Sequence, residues 1–144
     1  MEASSSMART ATVELRNIEG TQAALGWAGG HTLVVDRPDG VAGGMGLGFN
    51  GAQMLALSLG GCFCNDLRYT AEKMGVQLGP VAVTVTLTLE GNPLLAQSAA
   101  MQVDCKLIDG SDAGAVIEAA RASCMVSNSL RKGFPVSISE AARA

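Results

Sequence analysis

Four thiols are the residues of this chain best suited to chemistry. Cys62 and Cys64 sit two positions apart within NGAQMLALSLGGCFCNDLRYTAEKM, residues 50–74, and Cys105 and Cys124 follow later. The thiolate, not the thiol, is the nucleophile and the metal ligand. On a helix, two positions turn the side chain by about 200°. Cys62 and Cys64 therefore face opposite sides, and together they neither grip one metal nor close an easy disulfide. His31 is the only histidine in the chain and the only other good zinc donor, so no metal site is expected. Cys124 falls near the end of a second helical segment, where it can meet a thiol of the first helix across a packed interface. A Cys62–Cys124 pair and a Cys64–Cys124 pair both fit, and so does plain packing, because buried free cysteine is common. Cys105 shares a strand face with Met101, Val103 and Leu107 and reads as a core residue.

These thiols need elements to hold them. Residues 50–74 predict one long helix. Its first half is apolar all round, with Met54, Leu55, Ala56, Leu57, Leu59, Cys62, Phe63 and Cys64. A helix with no polar face is a buried helix. The apolar run is too short to cross a bilayer. Asn65, Asp66, Arg68, Glu72 and Lys73 make the second half polar. Gly60 and Gly61 each cost a helix about 1 kcal/mol relative to alanine. That cost implies a close neighbour at the backbone, such as a partner helix.

Before the helix, residues 10–16, 21–28 and 31–36 read as three strands separated by NIEG and Gly29-Gly30 turns, an antiparallel meander. Residues 41–49, VAGGMGLGF, are glycine-rich but lack the Lys-Ser/Thr of a phosphate loop. They read as a flexible lead-in to the helix that shapes a pocket mouth. After the helix, Val81, Val83, Val85, Leu87 and Leu89 alternate with Ala82, Thr84, Thr86 and Thr88, the clearest strand in the chain. Gly91-Asn92-Pro93 turns it into a second long strand over 94–109. A second helix is predicted over 113–127 and a last strand over 134–139, FPVSIS. The order is βββ-α-ββ-α-β, an α+β fold of antiparallel sheets with a long buried central helix. That helix has more apolar circumference than one small sheet can cover, which calls for an intimate homodimer.

The chain has 144 residues, which suits one domain over 10–144 behind a disordered leader over 1–9. Hydrophobic residues are 48% and aromatics 3%, so the core is aliphatic. The net charge of -3 gives no reason to expect nucleic acid or an anionic membrane as a partner. No signal peptide is expected, and four sparse cysteines do not make a secreted disulfide framework. The expected location is the cytoplasm.

GGCFCND, with QMLALSLGG before it, resembles the first cysteine motif of the OsmC/Ohr family. CMVSNSLRKG, residues 124–133, resembles the second, a Cys followed by Ser-Asn and then Arg-Gly. The resemblance runs from about Thr10 to Ser139. It implies the OsmC-like fold and an intertwined homodimer with the cysteine helices at its centre. Many members are thiol-dependent peroxidases that reduce organic hydroperoxides in oxidative stress defence. The resemblance makes Cys62 the peroxidatic thiol and Cys124 the resolving one, with no cofactor. The reductant would be a small thiol or a lipoylated protein. An apolar pocket would favour fatty or aryl hydroperoxides.

The family's peroxidases carry a Glu that orients an Arg onto the reactive thiolate. Here Ala52, in Asn50-Gly51-Ala52-Gln53-Met54, stands at that Glu position. The residue nearest to the Arg position is Arg16, and Arg131 follows the second motif; both are candidate electrostatic helpers. The stretch VELRNIEGTQAALGWAGGHTLVVD looks more like the OsmC-like branch than the peroxidases proper. A second reading is therefore a non-catalytic OsmC-like protein that binds a small lipophilic ligand between protomers. Asp66, one turn after Cys62, reads as a cap or dimer contact, because a negative neighbour raises a thiol pKa. His31 reads as a structural hydrogen-bonding residue. Met45, Met54, Met74, Met101 and Met125 read as core filler.

Overall fold

The computed structural model describes residues 7–142. Most of the expected leader, residues 1–6, lies outside the described residues. The elements are β1 (Glu14–Asn17), β2 (Ala24–Ala28), β3 (His31–Val35), α1 (Gly51–Met74), β4 (Leu78–Glu90), β5 (Leu95–Leu107), α2 (Gly114–Ser123) and α3 (Met125–Lys132). This is a mixed α+β fold with antiparallel sheets, as expected. The chain forms two compact units, one ending at Met54 and the other beginning at Leu55.

In the first unit, β1, β2 and β3 form the antiparallel meander, with Arg16 opposite Leu25 and Ala28 opposite His31. β1 and β2 are shorter than the sequence alternation suggests. The residues between them hydrogen-bond locally: the Thr21 amide and hydroxyl both donate to the Ile18 carbonyl, and the Ile18 amide donates to Ala23. Such local bonds compete with a sheet ladder.

The glycine-rich stretch is a tight loop wrapped around a buried carboxylate. Asp36 Oδ2 accepts from the amides of Met45 at 3.1 Å and Leu47 at 3.0 Å, and Oδ1 accepts from the Arg37 amide at 2.8 Å. Converging amides form a nest for an anion, and here the chain supplies its own. The Leu47 amide, joined by those of Met45 and Arg37, holds the Asp36 carboxyl below its ordinary range. Gly48 is required by close approach, since a Cβ there would stand 2.1 Å from the Val34 carbonyl oxygen. α1 opens with a reciprocal cap: Asn50 Oδ1 accepts from the Gln53 amide at 2.8 Å and Gln53 Oε1 from the Asn50 amide at 3.0 Å. This satisfies donors that a helix start leaves unpaired.

The second unit is built on the β4–β5 hairpin. The expected alternation holds. Val81, Val83, Val85 and Leu87 are half-buried while Ala82, Thr84, Thr86 and Thr88 are exposed. Pro80 falls where the register shifts between Leu78 and Val81, a place where a missing amide breaks no ladder bond. Phe63, Leu67 and Ala71 of α1 pack with Leu78, Ala113, Val116, Ala120 and Cys124 into the core. Arg68 ties the helix to the start of β4 by donating to the carbonyls of Leu78 and Gly79 at 3.3 Å each.

Five expectations need correction. α1 is not buried all round in the single chain. Leu59, Gly60, Phe63, Leu67 and Ala71 form one buried stripe at helical spacing, while Leu57 is 46% exposed. One two-stranded hairpin covers only one face. The close neighbour of Gly60 is a strand rather than a helix, since a Cβ there would stand 2.9 Å from Val85 Cγ2; Gly61 has nothing within 4 Å. The second helix breaks at Cys124, whose ψ of 111° is extended. The break is held by Asn128, whose Nδ2 donates to the Ala122 carbonyl at 3.1 Å and whose amide donates to Cys124. Finally, FPVSIS forms no strand. Phe134, Val136 and Ile138 are exposed, and no strand among the described residues lies beside them to complete a ladder. Met45, Met74 and Met125 are likewise exposed rather than core filler.

Candidate functional site

Cys62 and Asp66 are four apart on α1, so their side chains stand one above the other on one face. The Cys62 thiol donates to Asp66 Oδ2 at 3.5 Å. The break between α2 and α3 delivers Cys124 to the same place. Cys62 Sγ, an Asp66 carboxylate oxygen and Cys124 Sγ all lie within 4.8 Å of one another. All four cysteines are free thiols. Of the two pairings open in the sequence, the chain brings together Cys62 and Cys124. Cys64 is half-buried and is not one of the three clustered residues.

The two thiols differ in setting. Cys62 is half-buried, whereas Cys124 is 1% exposed within the core. Burial pushes the Cys124 thiol above its ordinary pKa of 9.0; Cys62 and Asp66 push it the same way. The Ser127 amide, in the first turn of α3, pulls against them, as an amide at a helix start does for a nearby thiolate. Burial, with the charge of Asp104, also raises the thiol of Cys105. Cys105 packs against the core opposite Val81, as expected of a core residue.

A cavity of about 570 Å³ opens beside this cluster. Leu59, Phe63, Val85 and Met101 give it an apolar wall, and Cys124, Arg121 and Arg131 also line it. Cys62 is not among the lining residues. Arg131 is oriented by Asn128, whose Oδ1 accepts from its Nη1 at 2.8 Å. Arg121 is paired with Glu118 at 3.3 Å. Arg16 belongs to the first unit, where its guanidinium lies 5.5 Å from the centre of the Trp27 ring, a cation–π distance. His31 is exposed at the start of β3 and makes no side-chain hydrogen bond among the described residues.

Two residues of the site escape a reading of spacing. Asp66 sits one turn from Cys62, and that spacing was the available signal; the approach of Cys124 from sixty positions away turns a cap or contact into a member of a three-residue cluster. Asn128 lies in the second motif, and its role emerges only once the helix is seen to break. Cys62 and Cys64 share no ligand set on their helix, whereas Cys62, Asp66 and Cys124 come together across elements. No helix among the described residues is long and apolar enough to cross a membrane.

Comparison with known proteins places this arrangement. The family model for OsmC-like protein matches residues 43–139, more than half of the chain. Solved structures share the fold. An OsmC-like protein from Mycoplasma pneumoniae has a TM-score of 0.71 at 15% identity, covering 87% of this chain and 89% of that one. An organic hydroperoxide resistance protein OsmC from Legionella pneumophila, described as a predicted redox protein, has a TM-score of 0.61 at 20% identity, covering 87% and 91%. The organic hydroperoxide resistance protein OhrB of Bacillus subtilis has a TM-score of 0.57 at 21% identity, covering 85% and 91%. No curated protein matches the sequence. With its two cysteine motifs meeting at one site and its family match spanning both, this chain belongs to the OsmC-like protein family.

Proposed function

We propose that this protein is a thiol-dependent peroxidase that reduces organic hydroperoxides through Cys62 and Cys124. It would act as a cytoplasmic homodimer in oxidative stress defence. The observation that carries the reading is the approach of the two thiols across α1 and the α2–α3 break, within 4.8 Å. Cys62 is the more exposed of the pair and attacks the outer peroxide oxygen as its thiolate. Asp66 accepts its proton, as a general base within hydrogen-bond reach can. The O–O bond breaks, an alcohol leaves after taking a proton, and Cys62 becomes a sulfenic acid. The Cys124 sulfur then displaces the hydroxyl, which departs as water with the Cys124 proton, and a disulfide forms. The attacking form of Cys124 is its thiolate, so the burial that raises this thiol slows the second step. Two equivalents of a small thiol, or one reduced lipoyl group, restore both cysteines. The reaction calls for no cofactor. The apolar wall suits a fatty or aryl hydroperoxide, and Arg131, which lines the same cavity as Cys124, is the electrostatic helper in this reading. A second copy would cover the exposed Leu57, Phe134, Val136 and Ile138.

The test is thiol mapping after one equivalent of cumene hydroperoxide. The expected result is rapid loss of two hydrogen masses, mapped to Cys62–Cys124. A Cys62→Ser protein that consumes the hydroperoxide as fast as wild type overturns the reading.

Two observations favour a second reading. The cavity reaches Cys124 rather than Cys62, and Ala52 replaces the Glu of the family's peroxidases. In that reading the apolar space holds a small lipophilic ligand without turnover. Unchanged thiols after hydroperoxide, together with a co-purifying lipophile in native mass spectrometry, would establish it.

A further inference from the structure

We infer that Cys62, Asp66 and Cys124 form a zinc site in the reduced protein. Three donor atoms from three residues lie within 4.8 Å of one another. One edge of the set matches the metal. Zinc bound at about 2.3 Å to sulfur and about 2.0 Å to oxygen in a tetrahedron spans an S···O edge of about 3.5 Å. Cys62 Sγ and Asp66 Oδ2 are 3.5 Å apart. The donor types agree as well, since thiolates with one carboxylate select zinc over magnesium or calcium. Asp66 makes no ion pair with Lys or Arg among the described residues.

The scaffold is rigid on both sides. Cys62 and Asp66 share one helix face. Cys124 is fixed by core packing and by the break that Asn128 holds. Binding replaces two thiol protons with one Zn²⁺, leaving a net charge of -1 on the set and releasing two protons. Three protein ligands leave a fourth position open to water, the pattern of an exchangeable site rather than a closed structural one. The same two sulfur atoms cannot hold zinc and form a disulfide, so zinc and oxidation exclude each other. Binding itself does not depend on the peroxidase reading; its brake on turnover does.

The experiment uses the reduced, metal-free full chain under argon. Zn²⁺ is titrated against a chromophoric chelator, and Co²⁺ is used in parallel as a spectroscopic probe. The expected result is one metal per chain, two protons released, and a thiolate-to-cobalt charge-transfer band with tetrahedral ligand-field absorption. Cys62→Ser and Cys124→Ser lose this binding, while Cys64→Ser and Cys105→Ser keep it. Asp66→Asn weakens it about tenfold or more, since even outer-shell partners cost that much. If Cys124→Ser fails the circular-dichroism check for folding, the half-exposed Cys62→Ser decides. Wild-type binding no tighter than that of Cys62→Ser overturns the inference. A chain that binds zinc but ignores hydroperoxide keeps the site and sinks the peroxidase; one that forms the disulfide but binds no zinc does the reverse.

Discussion

Asp66 and Cys124 stand within 4.8 Å of each other, a carboxylate against a buried thiol. The pair sits on different elements, α1 and the α2–α3 break, so its charge coupling reports directly on how those elements meet. With its pKa raised above 9.0 by burial first and by Cys62 and Asp66 after, Cys124 stays protonated at neutral pH. Alkylation of Cys124 in the native protein is therefore expected to be slow at pH 7 to 8 and to rise only above the ordinary thiol value. Asp66→Asn moves that rise to lower pH. The sign for stability follows: the folded state favours the protonated thiol, so this contribution is complete below the unfolded pKa and lost as pH climbs through the folded one. Peptide mapping of alkylated cysteines across pH checks the first expectation, and urea melts between pH 8 and 11 check the second.

Gly60 and Gly61 are adjacent yet should respond oppositely to a methyl group. An alanine Cβ at Gly60 would stand 2.9 Å from Val85 Cγ2, and a β-branched side chain yields little. Overpacking of this kind costs about 1–3 kcal/mol, against a helix gain of about 1 kcal/mol. At Gly61 nothing lies within 4 Å, so the helix gain stands alone. Urea denaturation is expected to rank Gly60→Ala less stable than Gly61→Ala; the reverse order would count against the close approach of α1 to β4.

Asn128 joins both sides of the helix break and also orients Arg131. Asn128→Ala removes both bonds and is expected to destabilise the protein by about 0.5–1.5 kcal/mol per bond lost. It should also slow formation of the Cys62–Cys124 disulfide, because the α2 side of the break loses its tie at the Ala122 carbonyl. Melting curves and the time course of disulfide formation separate the two effects.

Asp36 organises the loop over residues 41–49. Its carboxyl is held low, chiefly by the Leu47 amide. Its contribution is present above the unfolded carboxylate value of about 3.8 and is lost as pH falls through the lower folded value. Hydrogen exchange at the amides of Met45 and Leu47 should accelerate in that acid window. In Asp36→Asn the exchange should be fast already at neutral pH and lose its acid step.

The sequence carried the hairpin and the long helix well, because both rest on local periodicity: Val81 to Leu87 against Thr84 and Thr86, and the apolar run ahead of Cys62. Motif resemblance paired Cys62 with Cys124, and the chain brings those two thiols together. What the sequence did not carry depends on distant neighbours. FPVSIS has the composition of a strand, but a strand exists only where a second one answers it. The break at Cys124 hangs on a side chain four residues on. The glycines at 43, 44, 46 and 48 read as looseness, although Asp36, before them, makes their loop tight. Asp66 gained its place only when Cys124 arrived beside it.

Cys62 and Cys124 are 62 positions apart in the chain yet nearly touch in space. A disulfide between them would tether most of the second unit into one ring and strip the unfolded chain of many of its conformations. On the chain-entropy estimate for a loop of this length, that amounts to about 4 kcal/mol in favour of the folded state. The bond that ends the first half of the proposed cycle would thus act as a staple. The melting temperature of the protein would then be a thermometer of its redox state.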